Sequence, residues 1–170
     1  MASIFKYCPN CGAAGVTQPS ANLIECANCG FHFYRNPAVA VAALIVDERG
    51  QILLIRRAKD PAKSKLAMVG GFVDFDETAE AAVRREVKEE INLDLSAIEF
   101  LSSHPNEYHY RGIVYPVLDL FFVARVNSWH EAQAVSEVES LVARDPKTVE
   151  PEELAFESMR QALERYKLAH

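Results

Sequence analysis

Four cysteines fall within the first 29 residues as two C-x2-C-G turns, Cys8-Pro-Asn-Cys11-Gly12 and Cys26-Ala-Asn-Cys29-Gly30, separated by fourteen residues. Each turn sets two sulfurs side by side, with a glycine following where the backbone commonly needs positive φ, and two such turns close a tetrahedral thiolate site. A redox-active C-x2-C needs only one pair, so the doubled pattern points to zinc held by Cys8, Cys11, Cys26 and Cys29. Four thiolates fill every zinc position and leave no place for a substrate water, which makes the expected role structural. Residues 1–37 hold Lys6 and Arg35 against Glu25. With four thiolates around a dication the segment carries a charge of about −1, a poor footprint for nucleic acid.

The second reactive set lies in Gly71-Phe-Val-Asp-Phe-Asp-Glu-Thr-Ala-Glu-Ala-Ala-Val-Arg-Arg-Glu-Val-Lys-Glu-Glu-Ile-Asn-Leu93. At about 100° per residue, Glu86, Glu89 and Glu90 fall on one arc of a helix, beside the apolar stripe Val83, Val87, Ile91. Carboxylates at i, i+3 and i+4 repel one another, and a divalent cation would offset the repulsion. Clustered hard oxygen ligands suit Mg2+ or Mn2+ better than zinc.

The elements that must position these groups are legible from period and punctuation. Ala38 to Asp47 and Gln51 to Arg57, split by Glu48-Arg49-Gly50, read as a strand hairpin opening the main domain. Ala58 to Lys65 is a basic loop. Thr78 can cap a helix running to Ile91, with Glu80 in its favourable first turn. Strands are expected at Ile98 to Ser103 and Ile113 to Val126, followed by an irregular stretch around Trp129. A last helix beginning at Pro151 would pack through Leu154, Phe156, Met159, Ala162, Leu163 and Tyr166. Ribbon, strands, helix, strands, helix is the order of a mixed α/β sheet. A composition change at Arg35-Asn36-Pro37 sets the expected modules at 1–37 and 38–170.

With 170 residues, 49% hydrophobic and 25% charged, there is material for one ordinary domain plus a small appendage. Eighteen basic against 24 acidic residues give −6, so phosphate-bearing partners need a local site or a metal. Nucleic acid and acidic membrane surfaces are therefore unexpected partners. Met1 to Asn10 lacks the apolar core of a signal peptide, and the longest apolar run, Ala38 to Val46, is far below the ~20 residues that span a bilayer, so a cytoplasmic location is expected.

The segment from Gly71 to Leu93 resembles the Nudix box, G-x5-E-x7-R-E-U-x-E-E-x-G-U with U apolar. It matches at Gly71, Glu77, Arg85, Glu86, Val87, Glu89, Glu90 and Leu93. Asn92 stands where the box has glycine, just past a helix end where asparagine also adopts the left-handed conformation. The resemblance implies a Nudix hydrolase, a mixed sheet sandwiched between helices that cleaves a nucleoside diphosphate linked to another moiety. It makes the Gly70 carbonyl, Glu86, Glu89 and Glu90 ligands of catalytic Mg2+ or Mn2+, and Glu77 with Arg85 an orienting ion pair. The general base varies in such enzymes, so Glu86, Glu89 and a later loop glutamate all stand open.

A four-cysteine ribbon before such a domain resembles the NADH pyrophosphatase branch. There a glutamate in an E-U-x-x-A-like segment completes the metal site, and Glu137-Val138-Glu139-Ser140-Leu141 corresponds loosely, nominating Glu137. The branch carries Ser-Gln-Pro-Trp after the box, whereas this chain has Ser103-His104-Pro105-Asn106, then Glu107-Tyr108-His109-Tyr110-Arg111. Tyr108 or Tyr110 can stack a base and Arg111 can meet a phosphate. The expected substrate is then NADH, ADP-ribose, FAD or a similar compound, cleaved to a nucleoside monophosphate. Dimers are common in such relatives, which makes a second copy the macromolecular partner the resemblance suggests. The competing class is a noncatalytic nucleotide sensor or ribbon-mediated binding module, against which the full set of Glu86, Glu89 and Glu90 argues.

Overall fold

The computed structural model describes residues 5–169, which divide after Pro37 into two compact units. The smaller unit is a three-stranded antiparallel sheet of β1 (Val16–Ser20), β2 (Leu23–Cys26) and β3 (His32–Tyr34), in that spatial order. Its apolar content is slight: Ile24 is its fully buried aliphatic residue, and Phe5 meets Phe33 edge to face at 5.4 Å. So small an apolar core needs another staple, which the cysteines are placed to provide.

The larger unit is built on a seven-stranded mixed sheet. Its strands are β4 (Ala38–Val46), β5 (Ile52–Arg57), β6 (Leu66–Ala67), β7 (Val69–Phe72), β8 (Ile98–Tyr110), β9 (Ile113–Arg125) and β10 (Val138–Arg144). The main path runs β10-β5-β4-β9-β8, with β6 on β5 and β7 on β4. β4 and β9 are parallel; the other pairs are antiparallel. Six consecutive residues of β4, Val41 to Val46, are buried, as suits a central strand covered on both faces. β4 holds β5 at its far end and β7 at its near end along one edge, so the Gly70-Gly71 pair lies opposite Ala42 and Val41.

Helix α1 (Ala79–Ile91) buries Val83, Val87 and Ile91, the expected stripe, and Ala82 besides. Thr78 Oγ1 accepts from the Ala81 N–H at 3.1 Å, and Asn92 takes the left-handed conformation (φ 55°) with its N–H on the Lys88 carbonyl. Both ends are therefore satisfied by the residues expected to do it.

Strand β10 falls in the stretch expected to be irregular, β6 and β7 are not among the expected strands, and two further elements differ from expectation. The chain does turn helical at Pro151, but only for the 3-10 turn Pro151–Glu153, and helix α2 spans Glu157–Ala169. Between them Leu154 is fully buried beside Leu66, and the Ala155 N–H donates to the Leu66 carbonyl, which draws the backbone out of helical register. The strand expected to stop at Ser103 continues to Tyr110, paired residue for residue with β9 around a tip at Arg111 and Gly112. Both tip residues have positive φ (49° and 78°), as tight two-residue hairpins require. Along this arm His104, Asn106 and Tyr108 are half-buried while Ser103, Pro105, Glu107 and His109 are exposed. The period of two is there, written in polar and aromatic residues, of which Asn106 and Tyr108 line a cavity. No helix among the described residues is long and apolar enough to cross a membrane.

Candidate active site

In the smaller unit the two cysteine turns are built alike. The Gly12 N–H donates to the Cys8 carbonyl and the Gly30 N–H to the Cys26 carbonyl, each at 2.9 Å, with both glycines near φ 70°. Cys8 Sγ lies 3.7 Å from Cys29 Sγ, and Cys11 Sγ lies 3.8 Å from Cys26 Sγ. All four sulfurs fall within 4.8 Å of one another. A tetrahedron with Zn–S bonds of ~2.3 Å has S···S edges of about 3.8 Å, whereas a disulfide is ~2.05 Å, so the donor set fits a tetrahedral metal. The asparagine of each turn reaches the other: Asn10 Nδ2 donates to Cys29 Sγ and Asn28 Nδ2 to Cys11 Sγ, both at 3.6 Å. The Ala13 backbone N–H and then the Asn28 amide hold the Cys11 thiol down to about 6, while burial pushes Cys8 up to about 11.

In the larger unit a cavity of about 360 Å³ is walled on one side by Gly70, Gly71, Glu86, Glu89, Glu90 and Glu137. α1 presents its three glutamates next to β7. There a Cβ on Gly71 would come within 2.6 Å of Glu86 Oε2, so the missing side chain leaves the room that the carboxylate fills. The Gly70 N–H donates to Glu90 Oε2 at 3.2 Å. Burial pushes Glu90 up to about 7 against that hydrogen bond, and burial also raises Glu86 against the pull of Arg85.

Arg85 organises the surroundings. Its Nε and Nη2 donate to the two oxygens of Glu77, each at 2.9 Å, in the bidentate geometry of a strong pair. Nη2 also donates to the Phe72 carbonyl at 3.0 Å, and Nη1 to Glu86 Oε1 at 2.8 Å and Glu89 Oε2 at 3.3 Å. One guanidinium thus joins the loop after β7 to two helix carboxylates. The hydrogen bond from Arg85 holds the Glu77 carboxyl below the usual range, and Glu77 holds the Arg85 guanidinium above its own.

Glu137 arrives from the loop before β10. The Val135 N–H donates to the Glu90 carbonyl and the Gln133 N–H to the Ile91 carbonyl, so this loop also satisfies the C-terminal end of α1. The Glu137 carbonyl takes the Ala58 N–H, and its side chain meets Lys59 Nζ at 3.0 Å. Glu86, Glu89, Glu90 and Glu137 therefore line the same cavity. Among the described residues only the cysteines bring all their ligand atoms together within 4.8 Å; the glutamates are instead held apart on Arg85, Gly70 and Lys59. These four glutamates, in a cavity also lined by Asp74 and Asp119 and with Arg57 the one cationic side chain among its described lining residues, still make a hard-oxygen donor set that suits Mg2+ or Mn2+.

The NUDIX domain model matches residues 36–168 of the chain. The chain belongs to the NUDIX family. Two curated proteins match in part: the NAD-capped RNA hydrolase NudC of Pseudomonas aeruginosa and the ADP-ribose pyrophosphatase of Methanocaldococcus jannaschii. The former is 29% identical over 98 residues, 58% of this chain and 34% of that protein. The latter is 48% identical over 63 residues, 37% of each. The matched stretch thus spans about a third of either relative's length. Among solved structures, a NUDIX hydrolase from Nitrosomonas europaea superposes with a TM-score of 0.72 at 22% identity, covering 98% of this chain and 92% of that one. The NUDIX domain of Shewanella oneidensis NrtR, solved with ADP ribose, gives 0.65 at 20% identity, covering 80% and 90%. At these identities the likeness is one of fold.

On this NUDIX fold the far wall of the cavity comes from β8, β9 and the approach to α2. Tyr108 lines it, 5.5 Å from the Phe72 ring and 6.0 Å from the Phe156 ring, centroid to centroid. Tyr110 and Arg111 are not in the lining: Arg111 lies over the Tyr110 ring at 5.2 Å at the hairpin tip. The arginine in the cavity is Arg57, whose guanidinium stands 5.3 Å over Phe156. Arg57, Asp119 and Phe156 escaped the sequence reading because each sits inside a segment whose pattern says only strand or helix, and Asn106 because it falls in the stretch beyond Ser103 that carried no strand signal. The one available signal was a charged residue, Asp119, in the otherwise apolar run Val117 to Ala124.

Proposed function

We propose that this chain hydrolyses the pyrophosphate bond of a nucleoside diphosphate linked to another moiety, in a compound of the NADH, ADP-ribose or FAD kind, and releases a nucleoside monophosphate. Mg2+ or Mn2+ would be held by Glu86, Glu89, Glu90, Glu137 and the Gly70 carbonyl, and Zn2+ by Cys8, Cys11, Cys26 and Cys29. Residues 1–37 then serve as a structural ribbon and 38–170 as the hydrolase domain. The observation that carries the reading is one cavity lined both by Glu86, Glu89, Glu90 and Glu137 and by the aromatic rings of Phe72, Tyr108 and Phe156.

A cation held there would supply charge neutralisation on the phosphoryl oxygens and a lowered pKa for the attacking water. The chain's own part is positional. Arg85 fixes Glu86 and Glu89 while Glu77 fixes Arg85, so the carboxylates are oriented before any ligand arrives. Water adds to one phosphorus, the bridging P–O bond breaks, and a carboxylate of this wall takes the water's proton; Glu86, Glu89 and Glu137 are the candidates. Tyr108 and Phe156 offer faces for a base, with Arg57 beside them.

The test is a panel of NADH, NAD, ADP-ribose, FAD, diadenosine polyphosphates and nucleoside triphosphates in Mg2+ or Mn2+, read by product mass. A nucleoside monophosphate from a diphosphate-linked compound supports the reading, and intact substrates throughout would overturn it.

A further inference from the structure

Asp119 projects from the middle of β9 into the same cavity, only 8% exposed, in the otherwise apolar run Val117 to Ala124. It stands in one row across the sheet with Phe72, Ala40 and His104. This puts it two strand spacings, ~10 Å, from the β7 edge where the glutamates gather. Two protein donors reach it. Ser158 Oγ, fully buried at the start of α2, donates to Asp119 Oδ2 at 2.5 Å, and the Asn106 side chain donates as well.

An ionised carboxylate has about four lone-pair positions, so two remain after these bonds. Burying such a group is costly unless donors satisfy it, and no ion pair to Asp119 forms among the described residues. Burial accordingly raises its pKa against the help of Ser158, Asn106 and His104. The open side of the group faces a cavity walled by the Tyr108 and Phe156 rings, where a flat ligand ring would sit.

We propose that Asp119 is the specificity-determining acceptor of this site, taking a hydrogen bond from an N–H edge on a planar ring of the substrate, either an exocyclic ring amine or a ring carboxamide. The assignment rests on the reading of the cavity as a dinucleotide or sugar-nucleotide site. It goes further in stating which atoms of the ligand are read. A ring presenting a carbonyl or a carboxylate at that edge meets the carboxylate oxygen to oxygen, and a buried polar site left unpaired discriminates strongly.

Equilibrium binding by calorimetry in Ca2+ separates the sources with three ligands: NAD, nicotinamide hypoxanthine dinucleotide and nicotinic acid adenine dinucleotide. The intact protein is expected to bind one analogue roughly 10- to 100-fold more weakly than NAD. Loss with the hypoxanthine compound places the adenine amine at Asp119, and loss with the nicotinic acid compound places the carboxamide there. Asp119→Asn, which keeps an acceptor for Ser158 and adds a donor, should close that gap. Ser158→Ala keeps the carboxylate and should preserve it. Equal binding of all three by the intact protein, binding of none, or a uniform weakening by Asp119→Asn would overturn the assignment. Turnover of the same compounds in Mg2+ reads separately: hydrolysis without discrimination removes only the role of Asp119, while discrimination in binding without hydrolysis removes only the pyrophosphohydrolase reading.

Discussion

Gly70 and Gly71 are neighbours in β7, yet alanine at the two positions should fail in opposite ways. A Cβ on Gly70 would fall on the Val41 carbonyl oxygen and lie 2.7 Å from the Ala42 Cα. Those are backbone atoms of the central strand, so β7 would have to leave β4. Overpacking costs ~1–3 kcal/mol, and with rigid backbone on the other side the upper end applies. At about 2–4 °C per kcal/mol for a chain of this size, Gly70→Ala should lower Tm by roughly 6–12 °C. A Cβ on Gly71 meets only the carboxylate end of Glu86, at distances up to 2.6 Å. That side chain can swing away, losing its Arg85 hydrogen bond at a cost of about 1 kcal/mol, or roughly 2–4 °C. Mn2+ affinity should nevertheless drop ~10- to 100-fold, the usual effect of disturbing a metal site's supporting contacts. Scanning calorimetry beside Mn2+ titration checks both. A Gly71→Ala protein that binds Mn2+ like the parent would refute the reasoning that this gap exists to seat a ligand carboxylate, and a Gly70→Ala protein that melts like the parent would refute the packing argument.

Purified protein should carry one tightly held zinc, and Cys26→Ser should lose it and loosen the ribbon; elemental analysis finding no metal in the parent protein would end that assignment. Glu77→Gln should destabilise at neutral pH, because Arg85 lowers the Glu77 pKa in the folded state. Stability from a lowered carboxylate is present above its unfolded pKa and lost as pH falls, so the difference in Tm between the two proteins should shrink on acidification. Asp119 has the opposite sign: its folded pKa is raised by burial, so its charged form opposes folding, and the stability of Asp119→Asn relative to the parent should grow as pH rises from about 4 to 7. Tyr108→Ala should raise KM by the ~1–3 kcal/mol that base stacking is worth, while Tyr110→Ala, outside the cavity lining, should leave KM near the parent value.

The parts of this fold that announce themselves in sequence do so through a residue type tied to a position. Thr78 caps, Asn92 turns left-handed, Gly12 and Gly30 close cysteine knuckles, and Glu77 finds Arg85 within the same box. Short strands leave no such mark: Leu66–Ala67 is too brief for any period, and Val-Gly-Gly-Phe in β7 shows none. The inward arm of β8 was hidden for a different reason, since its alternation runs through His104, Asn106 and Tyr108 and not through aliphatic residues. Arg57 and Phe156 come together from residues about a hundred positions apart, a contact that only tertiary folding creates. Apart from Glu137, the glutamate wall of the cavity is thus encoded locally on one loop and helix. The end that meets the remainder of the ligand is assembled from three distant segments.

The most direct test of the central claim is kinetics and thermal melting on one protein, Glu89→Gln/Glu90→Gln, in Mg2+ or Mn2+ with the best substrate of the panel. A glutamine amide in place of the Glu90 carboxylate keeps an oxygen for the Gly70 N–H, and removing two negative charges from one helix face eases their repulsion, so the melting temperature should hold or rise. Turnover should fall ~10²- to 10⁴-fold, because on the proposed reading both groups hold the metal and Glu89 is a candidate to take the water's proton. Parent-level turnover in this folded variant would contradict the assignment of the glutamate wall as the catalytic centre.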